Sequence, residues 1–352
     1  MARKALLVTL ATVASLAALA LSEVLVRLTG LASPPVAVTV DERAYARLQG
    51  IFFPSPTRID RRNAALPHAV TINSAGFRGS EISLAKPSTE GRVLFIGDSF
   101  TWGDYVDDAQ TLPAQFERSI AATCPNVRAL NLGVGGTTID GQLEMLERGL
   151  ALAPDLVVLV FHDNDVQDLR PQTYWTELRA NRASKSRFPA SVIYGVLRNT
   201  ALWAVIRQSV ARLQGDRRAA VDPAAGAPSI RDSVAAAARD RLRSAYRKGL
   251  RAFAARTSRT GIPLLVTAFP SHLALRDAQS TDYGWLASTV VAESLAFLDP
   301  LPVLRGSSLG ETALYLLPHD AHASPTGYQL LAEAVTKRVL SSPVYARLCR
   351  SR

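Results

Sequence analysis

Four short aliphatic runs, separated by segments with helical periodicity, constrain the fold of this 352-residue chain most strongly. The runs are RVLFI at 92–96, VRALNLG at 127–133, DLVVLVFH at 155–162 and IPLLVTAFP at 262–270. Strands that are almost continuously apolar are buried on both faces, and their alternation with helices is typical of parallel sheets. The pattern therefore predicts an α/β fold, with helices covering both faces of a mostly parallel sheet.

The α/β pattern does not extend over the whole chain. It is interrupted at about 170–231, where an aromatic and Arg-rich stretch predicts a helical insertion; the sequence leaves open whether this insertion is a lid or a membrane-facing cover. We expect a signal anchor or signal peptide at 1–28, a stalk and lead-in at 29–69, the α/β domain at 70–345 and a basic tail at 346–352.

The N-terminus has the composition of a targeting segment. Arg3 and Lys4 precede the uncharged run ALLVTLATVASLAALAL, as in a positive n-region followed by an apolar h-region. Ala18 and Ala20 offer a cleavage site, but apolar residues resume after Glu23, which favours a retained anchor. An anchor places the remainder on the periplasmic or outer side of the membrane, and cleavage would secrete it. A buried helix of a soluble protein is the remaining alternative.

Charge and cysteine content argue against two other function classes. The formal net charge is +10, but the basic residues are scattered and not interleaved with aromatics, so we expect no nucleic-acid partner. Cys124 and Cys349 match no metal or redox spacing, and the sequence leaves open whether they pair. The loop aspartates match no calcium loop, so neither a metal nor a cofactor is expected. The oligomeric state is not encoded in these patterns.

Ser99 is the candidate nucleophile. It lies three residues beyond the run RVLFI, and ligands of open α/β sheets bind at the carboxyl ends of the strands. A hydroxyl needs a base, and among the five histidines His322 has a carboxylate, Asp320, two residues before it. In an extended backbone these side chains project to the same side, so Asp320 can orient the imidazole. A helix-capping serine beside an incidental histidine is the alternative.

Charge stabilisation would come from the loops after the next two strands. NLGVGG supplies glycines that allow close approach of a backbone N–H, and FHDND supplies the side-chain amide of Asn164. The sequence also predicts the start of one helix, because Ser324 and Pro325 have the residue types of an N-cap and a first helical position. This predicts that His322 lies just before a helix.

Together, GDSF, NLGVGG, DND and DAH resemble the conserved blocks of the SGNH (GDSL-like) hydrolase superfamily, and NSAGFRG at 73–79 is similar to a lead-in of its exported bacterial members. The resemblance implies a flavodoxin-like three-layer α/β/α fold and ester chemistry. It implies Ser99 as nucleophile, His322 and Asp320 as base and partner, and the N–H of Ser99, Gly136 and Asn164 as the oxyanion hole.

The chain departs from the family pattern at two places. His162 stands where the third block has glycine, and Asp320 precedes His322 by two residues instead of three. We therefore regard His162, together with Trp102, as candidate substrate-pocket residues.

The sequence thus predicts a serine esterase that forms an acyl-enzyme on Ser99 and hydrolyses an acetyl or other short acyl ester of an envelope or extracellular carbohydrate or lipid. An O-acetyltransferase of a polysaccharide would use the same residues. A catalytically silent, membrane-anchored binding protein with this fold is the alternative from another class.

Overall fold

The structure is a computed structural model that describes residues 2–29, 57–60, 66–169, 189, 200–202, 205–206, 230–279, 281–317 and 320–349. Its contacts group the chain into two compact units. The first comprises 1–39, 61–67 and 180–229, and the second comprises 40–60, 68–179 and 230–352. Most of the predicted insertion at 170–231 lies outside the described residues.

The first unit contains the N-terminal helix α1 (Ala2–Thr29). Its segment Thr9–Thr29 has a mean hydropathy of 1.9 and is long and apolar enough to cross a membrane, although signal sequences have the same properties. The carboxylate of Glu23 pairs with Arg27 and accepts hydrogen bonds from the backbone N–H groups of Ala201 (2.8 Å) and Leu202 (2.9 Å). Within this unit, α1 therefore contacts a segment of the insertion.

The second unit is built on a five-stranded parallel sheet. Its strands are β3 (Gly91–Gly97), β4 (Val127–Asn131), β5 (Leu156–Phe161), β6 (Leu264–Ala268) and β7 (Ala296–Leu298), in the order β4-β3-β5-β6-β7. This is the 2-1-3-4-5 order of flavodoxin-like folds. The four aliphatic runs are thus strands, as predicted, and the α/β fold is confirmed. The short edge strand β7 was not predicted.

Two strands precede the sheet, and helices connect its members. Strands β1 (Thr57–Asp60) and β2 (Ala69–Ile72) form an antiparallel pair. Among the described residues of this unit, the helices are α2 (Ser99–Trp102), α3 (Leu112–Ile120), α4 (Ile139–Leu150), α5 (Asn164–Gln167), α6 (Ile230–Thr260), α7 (His272–Arg276), α8 (Tyr283–Ala292), α9 (Leu301–Gly306), α10 (Glu311–Leu314) and α11 (Pro325–Leu340). Short 3-10 helices cover Asp108–Gln110 and Pro343–Cys349.

The sheet separates two apolar layers. Side chains of β3 alternate between them, because successive strand residues point to opposite faces. Phe95 packs in the layer that also holds Phe116 of α3 and Leu331 of α11. Leu94 packs in the layer that holds Leu146 of α4, and α6 contributes buried residues to this second layer. Helix α11 begins as predicted, with the Ser324 hydroxyl accepting from the N–H of Gly327.

The open question about the cysteines is resolved by a disulfide. Cys124, after α3, is bonded to Cys349, and their Cα atoms are 5.0 Å apart. Residue 349 ends the 3-10 helix that overlaps the predicted basic tail, and Leu348 in that helix is buried. The bond therefore joins the last described segment to the amino end of the sheet.

Candidate active site

The sheet topology places Ser99 between two loops. Ser99 begins α2 directly after β3, and the carboxylate of Asp98 caps this short helix by accepting from the N–H of Phe100 (2.9 Å). Because β3 lies between β4 and β5, the loops that follow those two strands flank Ser99 at the carboxyl edge. This is the ligand-binding edge of an open α/β sheet.

His322 contacts Ser99 from a loop 223 residues downstream in sequence, and Asp320 in the same loop contacts His322. The Nε2 atom of His322 lies 2.9 Å from Oγ of Ser99, and its Nδ1 lies 2.5 Å from Oδ1 of Asp320. The same carboxylate oxygen accepts from the backbone N–H of His322 (2.8 Å). An ionised Asp320 only accepts, so Nδ1 carries the proton and Nε2 accepts from the Ser99 hydroxyl.

The two groups shift each other toward their charged forms. Partial burial raises the pKa of Asp320, but the hydrogen bonds from the ring and backbone of His322 outweigh it, so this pKa lies below its usual value. Burial lowers the pKa of His322, but the hydrogen bond to Asp320 and the charges of Asp104, Asp320 and Asp98 raise it overall. The arrangement favours an imidazole that accepts a proton and holds it as an ion pair.

The predicted oxyanion donors lie in the two flanking loops. Gly136 is in the loop after β4 and has φ 75°, a conformation that favours glycine. That loop approaches α2 so closely that a Cβ on Gly133 would stand 2.2 Å from the backbone nitrogen of Trp102. Asn164 is the first residue of α5, directly after β5. Their roles as donors remain proposals.

The two candidate pocket residues have partners inside the protein. His162 is nearly buried, its Nδ1 lies 2.8 Å from the carbonyl oxygen of Phe269, and its ring stacks on Phe100 at 3.7 Å. Burial lowers the pKa of His162, which favours the neutral ring. The ring of Trp102 lies under the guanidinium of Arg78, whose Cζ is 5.4 Å from the ring centroid.

Three side chains at the site were not assigned from the sequence. The ring of Phe100 stacks on His322 at 4.7 Å, and Tyr105 contacts His322 edge-on at 5.6 Å. The Oδ2 atom of Asp104 lies 3.9 Å from Nε2 of His322. The sequence signal that could have identified them is Gly103, which ends α2 in the left-handed region (φ 89°) and turns the chain back toward the site. As a result, the N–H of Asp104 donates to the carbonyl of Ser99 at 3.2 Å.

Arg78, from the NSAGFRG lead-in, fixes this returning loop. Its side chain is buried and donates to the carbonyls of Trp102 (2.9 Å), Gly103 (2.6 Å) and Val106 (2.6 Å). It also donates to the carboxylate of Asp108 (2.8 Å). One guanidinium thus binds both sides of the turn that contains Asp104 and Tyr105. These planar, charge-assisted hydrogen bonds make the loop conformation well defined.

The other loop aspartates accept hydrogen bonds from neighbouring backbone and side-chain groups. Asp107 and Asp108 accept from the N–H groups of Ala69 and Thr71 in β2, both at 2.8 Å. Asp165 accepts from the side-chain amide of Gln142 (3.2 Å), and burial raises its pKa. Across the described residues, no group of three or more His, Cys, Asp or Glu side chains is arranged to hold a metal ion.

Comparisons with known proteins bear on this site. The model of the GDSL-like Lipase/Acylhydrolase family matches residues 95–330. No curated protein matches the chain. Among solved structures, a catalytic mutant of an acetylxylan esterase from Geobacillus stearothermophilus is 16% identical, with 76% of this chain and 100% of that chain covered and a TM-score of 0.40.

Two further solved structures have similar values. A lipase/acylhydrolase from Enterococcus faecalis is 15% identical, with 74% of this chain and 98% of that chain covered and a TM-score of 0.40. A GDSL-like lipase from Bacteroides thetaiotaomicron is 14% identical, with 73% and 91% covered and a TM-score of 0.37. These values are low, so the assignment to a family rests on the sequence match.

Proposed function

Because the chain belongs to the GDSL-like lipase/acylhydrolase family and is a serine hydrolase of esters, we propose that Ser99 is its nucleophile, with His322 as base and Asp320 as the base's partner. The observation that carries the proposal is the 2.9 Å contact between His322 Nε2 and Ser99 Oγ, with Asp320 bonded to the opposite ring nitrogen. This arrangement of hydroxyl, imidazole and carboxylate activates a serine in unrelated hydrolases.

In the proposed reaction, Ser99 Oγ attacks the ester carbonyl carbon and passes its proton to His322 Nε2. The N–H of Ser99, the N–H of Gly136 and the amide of Asn164 donate to the tetrahedral oxyanion, and each such donor is typically worth about 10²–10³ in rate. The intermediate collapses, the C–O bond breaks, and His322 returns the proton to the departing alcohol. Water then attacks the acyl-enzyme, which releases the acid and restores Ser99.

The substrate we propose is an acetyl or other short acyl ester of an envelope or extracellular carbohydrate or lipid. The basic start of α1, its apolar length and the disulfide support an exported protein that α1 anchors in the membrane, since disulfides persist in oxidising compartments. Fractionation of cells tests the anchor. We expect the full chain in the membrane pellet after alkaline extraction, and a shortened soluble chain would contradict the anchor.

The esterase proposal is tested with the full-length protein in detergent. A fluorophosphonate probe should label Ser99, and a chromogenic acetyl ester should be hydrolysed. Ser99→Ala should abolish both signals, whereas Ser288→Ala, on the exposed surface of α8, should retain them. A folded sample that neither reacts with the probe nor turns over the ester would instead support a silent binding protein. Diversion of acetyl groups from water to an added glycan would support the transferase.

A further inference from the structure

Asp104 borders the same space as the nucleophile and the base. Its Oδ2 atom is 3.9 Å from His322 Nε2, and its side chain is 38% exposed. A Cβ placed on Gly135 would stand 3.9 Å from that oxygen and 3.7 Å from the Cβ of Ser99. The carboxylate, Ser99, His322 and the loop after β4 therefore lie close together in one region of the site.

The chemistry of the proposed reaction assigns this region to the alcohol portion of the ester. His322 Nε2 must protonate the departing alcohol oxygen, so that oxygen has to lie within hydrogen-bonding distance of Nε2 during cleavage. Because Oδ2 of Asp104 is 3.9 Å from the same Nε2, a group on the carbon adjacent to the one that bears this oxygen would lie close to the carboxylate. A carboxylate only accepts hydrogen bonds, and those it accepts from a hydroxyl group are short and charge-assisted.

The backbone that carries this carboxylate is held in place before any substrate binds. Arg78 binds three carbonyls of the loop, and the N–H of Asp104 donates to the carbonyl of Ser99. The next residue, Tyr105, has φ 66°, a strained conformation that a non-glycine residue keeps only when its surroundings enforce it. A preorganised acceptor costs little ordering entropy when a ligand binds.

We propose that Asp104 binds the alcohol portion of the substrate, by accepting a hydrogen bond from a hydroxyl group on the carbon adjacent to the one that bears the ester oxygen. The proposal rests on the esterase function above and makes polyhydroxylated alcohols, such as sugars, the favoured substrates. Esters of simple or lipid-like alcohols lack the donor that this carboxylate is positioned to accept from.

The test compares two acetates that differ by one hydroxyl group, trans-cyclohexane-1,2-diol monoacetate and cyclohexyl acetate. Both are assayed with the full-length protein, on the alkaline plateau of the pH profile so that His322 is neutral. We expect Asp104→Ala to lower kcat/KM for the diol monoacetate about tenfold more than for cyclohexyl acetate. Asp104→Asn, which keeps an acceptor oxygen without the charge, should lose less. Asp240→Ala, an exposed acid on α6, is the matched control.

Two outcomes would overturn the proposal. An equal loss for both acetates would mean that Asp104 acts only through His322. A larger loss for acetylcholine than for the diol monoacetate would mean that the carboxylate binds a cation instead of a hydroxyl group. If the wild type hydrolysed neither acetate and did not react with the fluorophosphonate, the esterase function itself would be overturned, and this result is distinct because it appears before any variant is compared.

Discussion

The two ends of the parallel sheet use charged side chains differently. At the carboxyl end, the charges of His322 and Asp104 remain partly exposed and face the space beside Ser99. At the amino end, Arg92 is completely buried and donates to the carbonyls of Leu152 (3.0 Å) and Ser83 (2.5 Å). One end therefore places partly exposed polar groups beside the nucleophile, while the other uses a buried one to bind the loops around the start of β3. The comparison separates the residues proposed to act in catalysis from the residues that stabilise the fold.

The largest expected effect is a loss of catalysis at the carboxyl end of the sheet, with the amino end left intact. His322→Ala should lower kcat for a chromogenic ester by a factor on the order of 10⁴ to 10⁶, because the Ser99 hydroxyl loses its base. The free energy of unfolding should change by less than about 1 kcal/mol, since the ring is partly exposed. Ester turnover and urea unfolding measure the two quantities. Retention of full activity would remove His322 from the mechanism.

Substitution of Arg92 should have the opposite profile. Arg92→Met leaves buried carbonyls and the carboxylate of Glu90 without their cation, so we expect a loss of about 3–5 kcal/mol in unfolding free energy. Active-site titration with the fluorophosphonate should give an unchanged kcat per folded molecule. Arg128→Met is the control, because its pair with Glu117 is partly exposed and worth at most about 1 kcal/mol. Equal effects of the two variants would contradict a special role for the buried guanidinium.

The disulfide should contribute a somewhat smaller amount at the same end. Replacing Cys124 and Cys349 by serine together should cost about 2–4 kcal/mol, because the bond limits the freedom of the unfolded chain. Urea unfolding with and without reductant measures it, and reductant should affect only the wild type. A loss of kcat at 25 °C in the folded double variant would show that the two ends are coupled.

The smallest effect concerns the charges around His322. Asp320, Asp104, Asp98 and His162 surround this ring, and the three carboxylates outweigh burial to raise its pKa. Activity needs the neutral ring and is lost as pH falls through this pKa, so Asp104→Asn should move the acid limb of kcat/KM to lower pH. We expect a shift of less than about one unit, because the carboxylate is partly exposed and screened.

Salt provides the control for that shift. The difference between the wild type and Asp104→Asn should shrink at about 1 M NaCl, where the Debye length falls to about 3 Å. A limb that moves to higher pH in the variant would contradict the assigned sign.

Local sequence patterns predicted the strands and the helix start that depend on residues close together in the chain. Four aliphatic runs identified β3 to β6, and Ser324 with Pro325 identified the start of α11. Strand β7 was missed because it has three residues, none of them fully buried, and no continuous aliphatic run. The proximity of His322 and Ser99 was inferred from the combination of motifs, because each motif alone is also compatible with an ordinary capped loop.

Other features could not be predicted because they depend on how distant segments pack. Asp104 reaches His322 only because Gly103 reverses the chain and Arg78, from another segment, holds the turn. The pairing of Cys124 with Cys349 requires residues 225 positions apart to meet. Neither periodicity nor residue type records such distances.

The same disulfide has a consequence for the order of events during synthesis. A chain emerges from the ribosome with its amino end first, and Cys124 emerges long before Cys349. Helix α11, which packs on the layer around α3, and the base His322 are also made late. Ser99 therefore has no contact with His322 until the last third of the chain has been made. Shortening the protein from its carboxyl end should cost both activity and stability long before the strands themselves are removed.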